Sequence, residues 1–308
     1  MSSWDPYAIT EDPNVTFIVP QEPSAWQRFR GQPFLFLALK LYDYRRIIPA
    51  QPSKKPVSVV CISNTYYQSP KIPEGDILIH AGDLTPDGSL AFFQRTLNWL
   101  NEQPHPIKIV IGGMNDQLLD RSKGKGRGWD HGDYEKIKWG DIVYLENSGT
   151  TIMAQNGRRL RIWGSPNSPI REGKLGFQYR PDDDFWYRKI PRSVDILITH
   201  TPPYGHLDSR IGCYWLLHEL WLNPPRLHVF GRAEENHGAE ILQYDKLQKA
   251  MEYMIGREKG PKQFWEVLKG FVLSWWRPST GPQTILVNAC ITGGYWNMSR
   301  RAPIKVVI

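Results

Sequence analysis

The chain alternates short apolar runs with polar or glycine-rich clusters, and the period of each run predicts its structure. Residues 57–63, VSVVCIS, form an apolar β-branched run of strand length. GDILIHAGD (75–83), IKIVIGG (107–113), IVYLE (142–146) and RLRIWGS (159–165) read the same way, as do VDILITH (194–200), RLHVFG (226–231) and TILVNAC (284–290). Residues 89–103 carry Phe92, Phe93, Leu97 and Leu100 at helical spacing, with Ser89 placed as an N-cap. Two later helices are predicted, one near 213–222 and one over QFWEVLKGFVLSWW (263–276). Residues 1–55 form an N-terminal helical extension with one helix in PFLFLALKLY (33–42), and PAQPSKKP closes it. Residues 56–308 form the main domain.

Alternating strands and helices point to a layered α/β sheet. Most predicted strands end in a small or polar cluster: SNTY (63–66), GD (82–83), GMND (113–116), THTPP (199–203) and GRAE (231–234). In such sheets functional groups collect at the carboxyl ends of strands, which makes these distant clusters neighbours in space.

Composition narrows the picture only in places. The 308 residues are 41% hydrophobic and 22% charged, ordinary for a folded protein. Thirteen Trp, fourteen Tyr and eleven Phe are more than a core requires, so rings either stand half-exposed or line a cavity for an organic ligand. The net charge of +7 is spread along the chain except in RSKGKGRG (121–128), which lacks any period and is predicted to be a solvated loop. No nucleic-acid partner is expected. Three widely spaced cysteines without a CxxC pair frame neither a disulfide scaffold nor a zinc site. The polar, acidic start, MSSWDPYAITEDPN, is no signal peptide, so a cytoplasmic location is expected. The apolar run in 33–42 is far shorter than the roughly 20 residues of a membrane span; it is expected to pack on the core, with a bilayer interface as the alternative.

The order of the strand-end clusters resembles the calcineurin-like metallophosphoesterase superfamily, in particular its small cytosolic phosphodiesterase branch. IPEGDILIHAGDLT, GSPNSP, ILITHTPPYGHLD and RLHVFG carry the resemblance, which runs from Val57 to the C-terminus. It implies a four-layer α/β/β/α sandwich. In that family two bridged metals polarise a phosphate and activate a water. The family's D-x-H falls here on Asn64-Thr65-Tyr66, and G-D is kept as Gly82-Asp83. G-N-H-D becomes Gly113-Met114-Asn115-Asp116, the lone His is kept as His200, and G-H-x-H becomes Gly231-Arg232-Ala233-Glu234.

Only Asp83 and His200 keep the ligand identity that the resemblance implies. Asn64 is a neutral amide, Tyr66 a weak ligand unless ionised, and Met114 a soft thioether that hard divalent ions disfavour. Arg232 brings a permanent cation; Glu234 alone adds a carboxylate. Asn115 replaces the family's leaving-group acid. No metal and no cofactor are expected, and Asp83 is predicted to pair with Arg232. Three functions stay open: a metal-independent cyclase or isomerase acting on a hydrophobic small molecule, such as specialised metabolism uses; a non-catalytic protein binding a nucleotide or partner; and a weak single-metal phosphodiesterase. Under the first, Tyr66, Asp83, His200, Arg232 and Glu234 are the candidate catalytic residues. Asn64, Met114, Asn115, Tyr204, His206 and Trp265 are the candidates for substrate binding. The sequence does not indicate an oligomeric state.

Overall fold

The computed structural model describes residues 23–308 apart from 52, 67, 122–130, 171–174 and 294–298. The first 22 residues, and the basic run except Arg121, therefore lie outside the described residues.

Two sheets form the centre. The first contains β1 (Ser58–Ile62), β2 (Ile77–Ala81), β3 (Ile107–Ile111) and β4 (Ile142–Tyr144), with β15 (Ile304–Val307) antiparallel at the edge beside β1. The second holds β5 (Ser148–Met153), β6 (Arg159–Ser165), β9 (Ile196–Thr199), β10 (Leu227–Phe230), β11 (Gly238–Gln243) and β12 (Gln283–Asn288). Its order is β11-β12-β10-β9-β6-β5, with β6, β9, β10 and β12 parallel and antiparallel strands at both edges. Two short ladders, β7 (Ser168–Pro169) with β8 (Gln178–Tyr179) and β13 (Thr292–Gly293) with β14 (Ser299–Arg300), lie outside these sheets.

The period of two in each strand builds the layers. Val59 and Cys61 of β1, Ile77 and Ile79 of β2 and Ile109 of β3 face Ile162, Ile198 and Val229 of the second sheet. Their neighbours Val60, Ile62, Leu78 and Val110 face the other way, onto Phe93, Leu97 and Leu100 of α3 (Leu90–Asn101). The outer face of the second sheet packs Leu197, Phe230 and Leu286 against Leu216, Leu217 and Leu220 of α5 (Tyr214–Leu222). A short α4 (His131–Tyr134) precedes β4. Strands covered on both faces explain the unbroken apolar runs, since each buried aliphatic side chain stabilises the fold by roughly 1.5–3 kcal/mol. The result is a four-layer α/β/β/α sandwich.

Helices were less legible than strands. Among its described residues the N-terminal region holds two, α1 (Ala25–Gly31) and α2 (Pro33–Asp43), because Pro33 starts a new helix where the first ends. Between β11 and β12 lie α6 (Lys246–Gly256) and α7 (Pro261–Trp276), and α2 packs with both through Ala38, Met251, Met254 and Val267. Among the described residues no helix is long and apolar enough to cross a membrane.

Candidate functional site

Parallel registers bring the clusters together. Ile62 pairs with His80 and His80 with Val110 in one sheet; Ser165, Thr199, Phe230 and Asn288 form one row in the other. The residues that follow each strand therefore meet at one edge of the sandwich. The backbone there is strained. Asn64, Tyr66, Asp83 and Arg232 all have φ between 52° and 65°, a region that L side chains rarely adopt. Gly82, with φ 92°, is needed as glycine: a Cβ would lie 2.5 Å from Gly112 O and 2.6 Å from His200 Nδ1.

Asn64 is at the centre. Its Oδ1 accepts from the Ser63 hydroxyl (2.6 Å), the Arg232 backbone N–H (3.0 Å) and the Cys290 thiol (3.3 Å). Three donors on the oxygen side orient the amide, so Nδ2 faces Asp83 Oδ2 (3.2 Å), Glu234 Oε1 (3.3 Å) and the Tyr66 hydroxyl (3.3 Å). The Tyr66 hydroxyl donates to Glu234 Oε1. Asp83 Oδ1 accepts the Asn115 backbone N–H at 2.8 Å.

The partner expected for Asp83 was Arg232; the structure places His200 there instead. His200 Nε2 lies 3.3 Å from Asp83 Oδ2, an ion-pair distance without the alignment of a hydrogen bond. Its Nδ1 is 2.9 Å from Ala81 O, a contact only a protonated nitrogen satisfies. The Arg232 side chain turns elsewhere, and its Nη2 donates to Pro169 O at 2.9 Å. The reason is the backbone at φ 65°, which points the Arg232 N–H at Asn64 and sends the side chain toward β7.

Electrostatics follow from this burial. Burial alone would push Asp83 up, but His200 and the Asn115 N–H outweigh it and hold the carboxyl below its usual range. Burial would likewise push His200 down, yet Asp83 and the Ala81 carbonyl hold it above its ordinary value. Burial, then Asp83 and Glu234, raise Tyr66 far up, so it remains a proton donor. Glu234 is raised by burial, with Asp83 adding to the effect. Asp116 staples two loops by accepting the N–H groups of Gly113, Leu84 and Thr85; burial and Asp83 push it up to about 7.

Exposure divides the cluster. Asp83 and His200 are covered, whereas Tyr66, Met114, Asn115 and Glu234 are only partly buried and form the solvent-facing side. Other candidates lie elsewhere. His206 is held between Glu240 (2.7 Å) and Glu252 (3.1 Å), joining its loop to β11 and α6. Tyr204 lines a separate groove of about 330 Å³ between α5 and α6. Trp265 stands on the outer face of α7, 55% exposed. Sequence reading assigned no role to Ser63 and Cys290, which orient Asn64; the Ser63 hydroxyl also reaches Ala81 O and Gly82 O at 3.2 Å. Among the described residues no group of three or more His, Cys, Asp and Glu side chains could hold a metal ion.

Comparison with known proteins agrees with this architecture. The chain is 34% identical over 299 residues to a protein of Emericella nidulans named probable rhamnogalacturonate lyase C, an alignment covering 94% of this chain and 28% of that protein. It is 34% identical to human metallophosphoesterase domain-containing protein 1 over 62% of this chain and 65% of that one. The UPF0046 protein K07C11.7 of Caenorhabditis elegans is 32% identical over 59% of this chain and 65% of its own length. The chain thus spans less than two thirds of each of these relatives. The model of the calcineurin-like phosphoesterase family matches residues 60–242, more than half of the chain. With its two-sheet sandwich and its strand-end cluster, the chain belongs to the calcineurin-like phosphoesterase family.

Proposed function

We propose that the strand-end cleft works without metal ions, as an acid–base site for cyclisation or isomerisation of a hydrophobic small molecule. The direction of the hydrogens carries this reading. The Asn64 amide and the Tyr66 hydroxyl turn N–H and O–H groups toward the carboxylates of Asp83 and Glu234. A metal needs converging lone pairs, so these residues do not fit the family's pair of metal ions. Met114 adds a soft donor and Arg232 a fixed positive charge, neither suited to a hard divalent ion.

Roles follow from exposure. Tyr66 and Glu234 reach the open side, so they are the groups that touch substrate: Glu234 takes or returns a proton, and Tyr66 donates a hydrogen bond to charge developing on an oxygen. Asp83 and His200 are positioning residues, a covered pair in which Asp83 holds the Asn64 amide. A second reading, a ligand-binding protein without catalysis, is favoured by one observation: Asn64, Tyr66, Asp83 and Glu234 already hydrogen-bond one another. The lyase name of the Emericella relative is not carried over, because this chain spans only 28% of that protein.

The test does not require the substrate in advance. A strain lacking the gene, complemented with the parent protein, Glu234→Gln or Tyr66→Phe, is compared by untargeted metabolite profiling. The parent should restore a missing compound, and Glu234→Gln should lower its formation by roughly 10²-fold or more. Restoration by both variants would overturn the catalytic reading in favour of binding.

A further inference from the structure

The outer face of the helical layer has an unusual composition. Helix α7 buries Val267, Gly270 and Ser274 against α2 and α6, which leaves Trp265, Val272 and Trp276 on the opposite side. These three, at spacing i, i+7, i+11, share one helical face and are 55%, 48% and 81% exposed. Leu273 beside them is 46% exposed. Isolated exposed apolar residues are ordinary, but an aligned strip containing two tryptophans is not.

Positive charge borders this strip. A groove of about 660 Å³ between α6 and α7 is lined by Lys246, Lys249, Lys262 and Lys269. Two carboxylates share it: Glu266 is paired with Lys269 at 2.8 Å, and Glu258 accepts from Gln263. Four lysines against two glutamates leave the groove cationic. On the other flank Arg46, just past α2, lies 5.0 Å from the centre of the Trp275 ring. The helix is already packed before any partner arrives: a Cβ on Gly270 would lie 2.8 Å from Leu247 Cα, so α7 rests directly on the α6 backbone.

We propose that this α6–α7 face docks on the surface of an anionic lipid bilayer. Trp265, Val272 and Trp276 enter the headgroup region, and the lysines of the groove meet lipid phosphates. An indole suits that depth because its body is apolar and its N–H finds a polar partner. A helix lying in the interface with rings on one side and lysines beside them has this form. The lysines add attraction that depends on anionic lipid and weakens as salt screens it.

The test is co-sedimentation of the full chain with vesicles of phosphatidylcholine alone or with about 30% phosphatidylserine, near a physiological Debye length. Binding should be at least about tenfold tighter to the serine-lipid vesicles and should fall as salt rises. The double variant Trp265→Ser, Trp276→Ser and the charge reversal Lys249→Glu, Lys262→Glu should each lose about tenfold or more, with Tm unchanged because all four side chains are exposed. Variants that sediment like the parent would overturn the proposal, as would no preference for anionic vesicles. Sedimentation velocity without lipid is the companion measurement. Concentration-dependent association abolished by the tryptophan variant, with no vesicle binding, would show that a second copy of the chain covers this face instead.

Discussion

Asn64 shows how one side chain can organise a cleft. Replacing it with alanine removes the acceptor of the Arg232 N–H and the Cys290 thiol, and one of the three acceptors near the Ser63 hydroxyl, while keeping a strained φ of 52°. Buried donors left unpaired are costly, so Asn64→Ala should lose about 2–4 kcal/mol, read from the denaturant midpoint. Asparagine also tolerates the left-handed region better than most residues, which fits its presence there. His206 offers a pH test away from the cleft. Burial alone would lower it, but its bonds to Glu240 and Glu252 outweigh that and raise it to about 9 from an ordinary 6.5. A folded value above the unfolded one means that this stability is complete below pH 6.5 and is lost as pH rises through about 9. The amount is on the order of 3 kcal/mol. Denaturation series from pH 6 to 10 should show the decline in the parent; His206→Gln should be weaker at pH 6 and nearly flat across the window. A parallel decline in both would assign the effect to other groups.

At the scale of elements, the strand ends and the helical layer obey different constraints. Strands β1, β2, β9 and β10 are covered on both faces, and their burial fixes where the cleft residues emerge. Helices α6 and α7 hold together by close backbone approach at Gly270. Gly270→Ala puts a methyl group against backbone that cannot move aside, and should lower stability by about 1–3 kcal/mol in a thermal or denaturant melt. Lys269→Ala, one position away and exposed, should stay within about 0.5 kcal/mol. Equal effects would mean that the contact at Gly270 relaxes freely.

For the whole molecule, membership of a metal-dependent family and the donors present in the cleft point in different directions, and metal content decides between them. Protein dialysed after purification should contain no stoichiometric Mn, Fe or Zn by elemental analysis, and generic phosphodiesters should not turn over when Mn²⁺ is added. One or two metals per chain, with hydrolysis lost in Asp83→Ala, would restore the phosphodiesterase reading.

The sequence by itself determined the buried strands, their succession along the chain, the layered α/β class and the family. Runs such as VSVVCIS and VDILITH must be buried on both faces, and that leaves a one-dimensional mark. It also determined which residues stand at the strand ends, because each cluster directly follows its run. Edge strands β5, β11 and β15 were not legible: they face solvent and alternate polar with apolar residues too weakly to separate from loops. Helix α6 was missed because its buried face, Leu247, Gln248, Met251 and Met254, mixes an amide with few apolar residues and leaves a weaker periodic mark than that of α3. Which partner Asp83 takes was beyond the sequence altogether. Charge alone favoured Arg232, but the left-handed backbone after Gly231 turns that side chain to Pro169, and the neighbouring strand delivers His200. A list of residues carries charges without directions. Only the folded backbone sets where each side chain points, and at this cleft direction decides which groups meet.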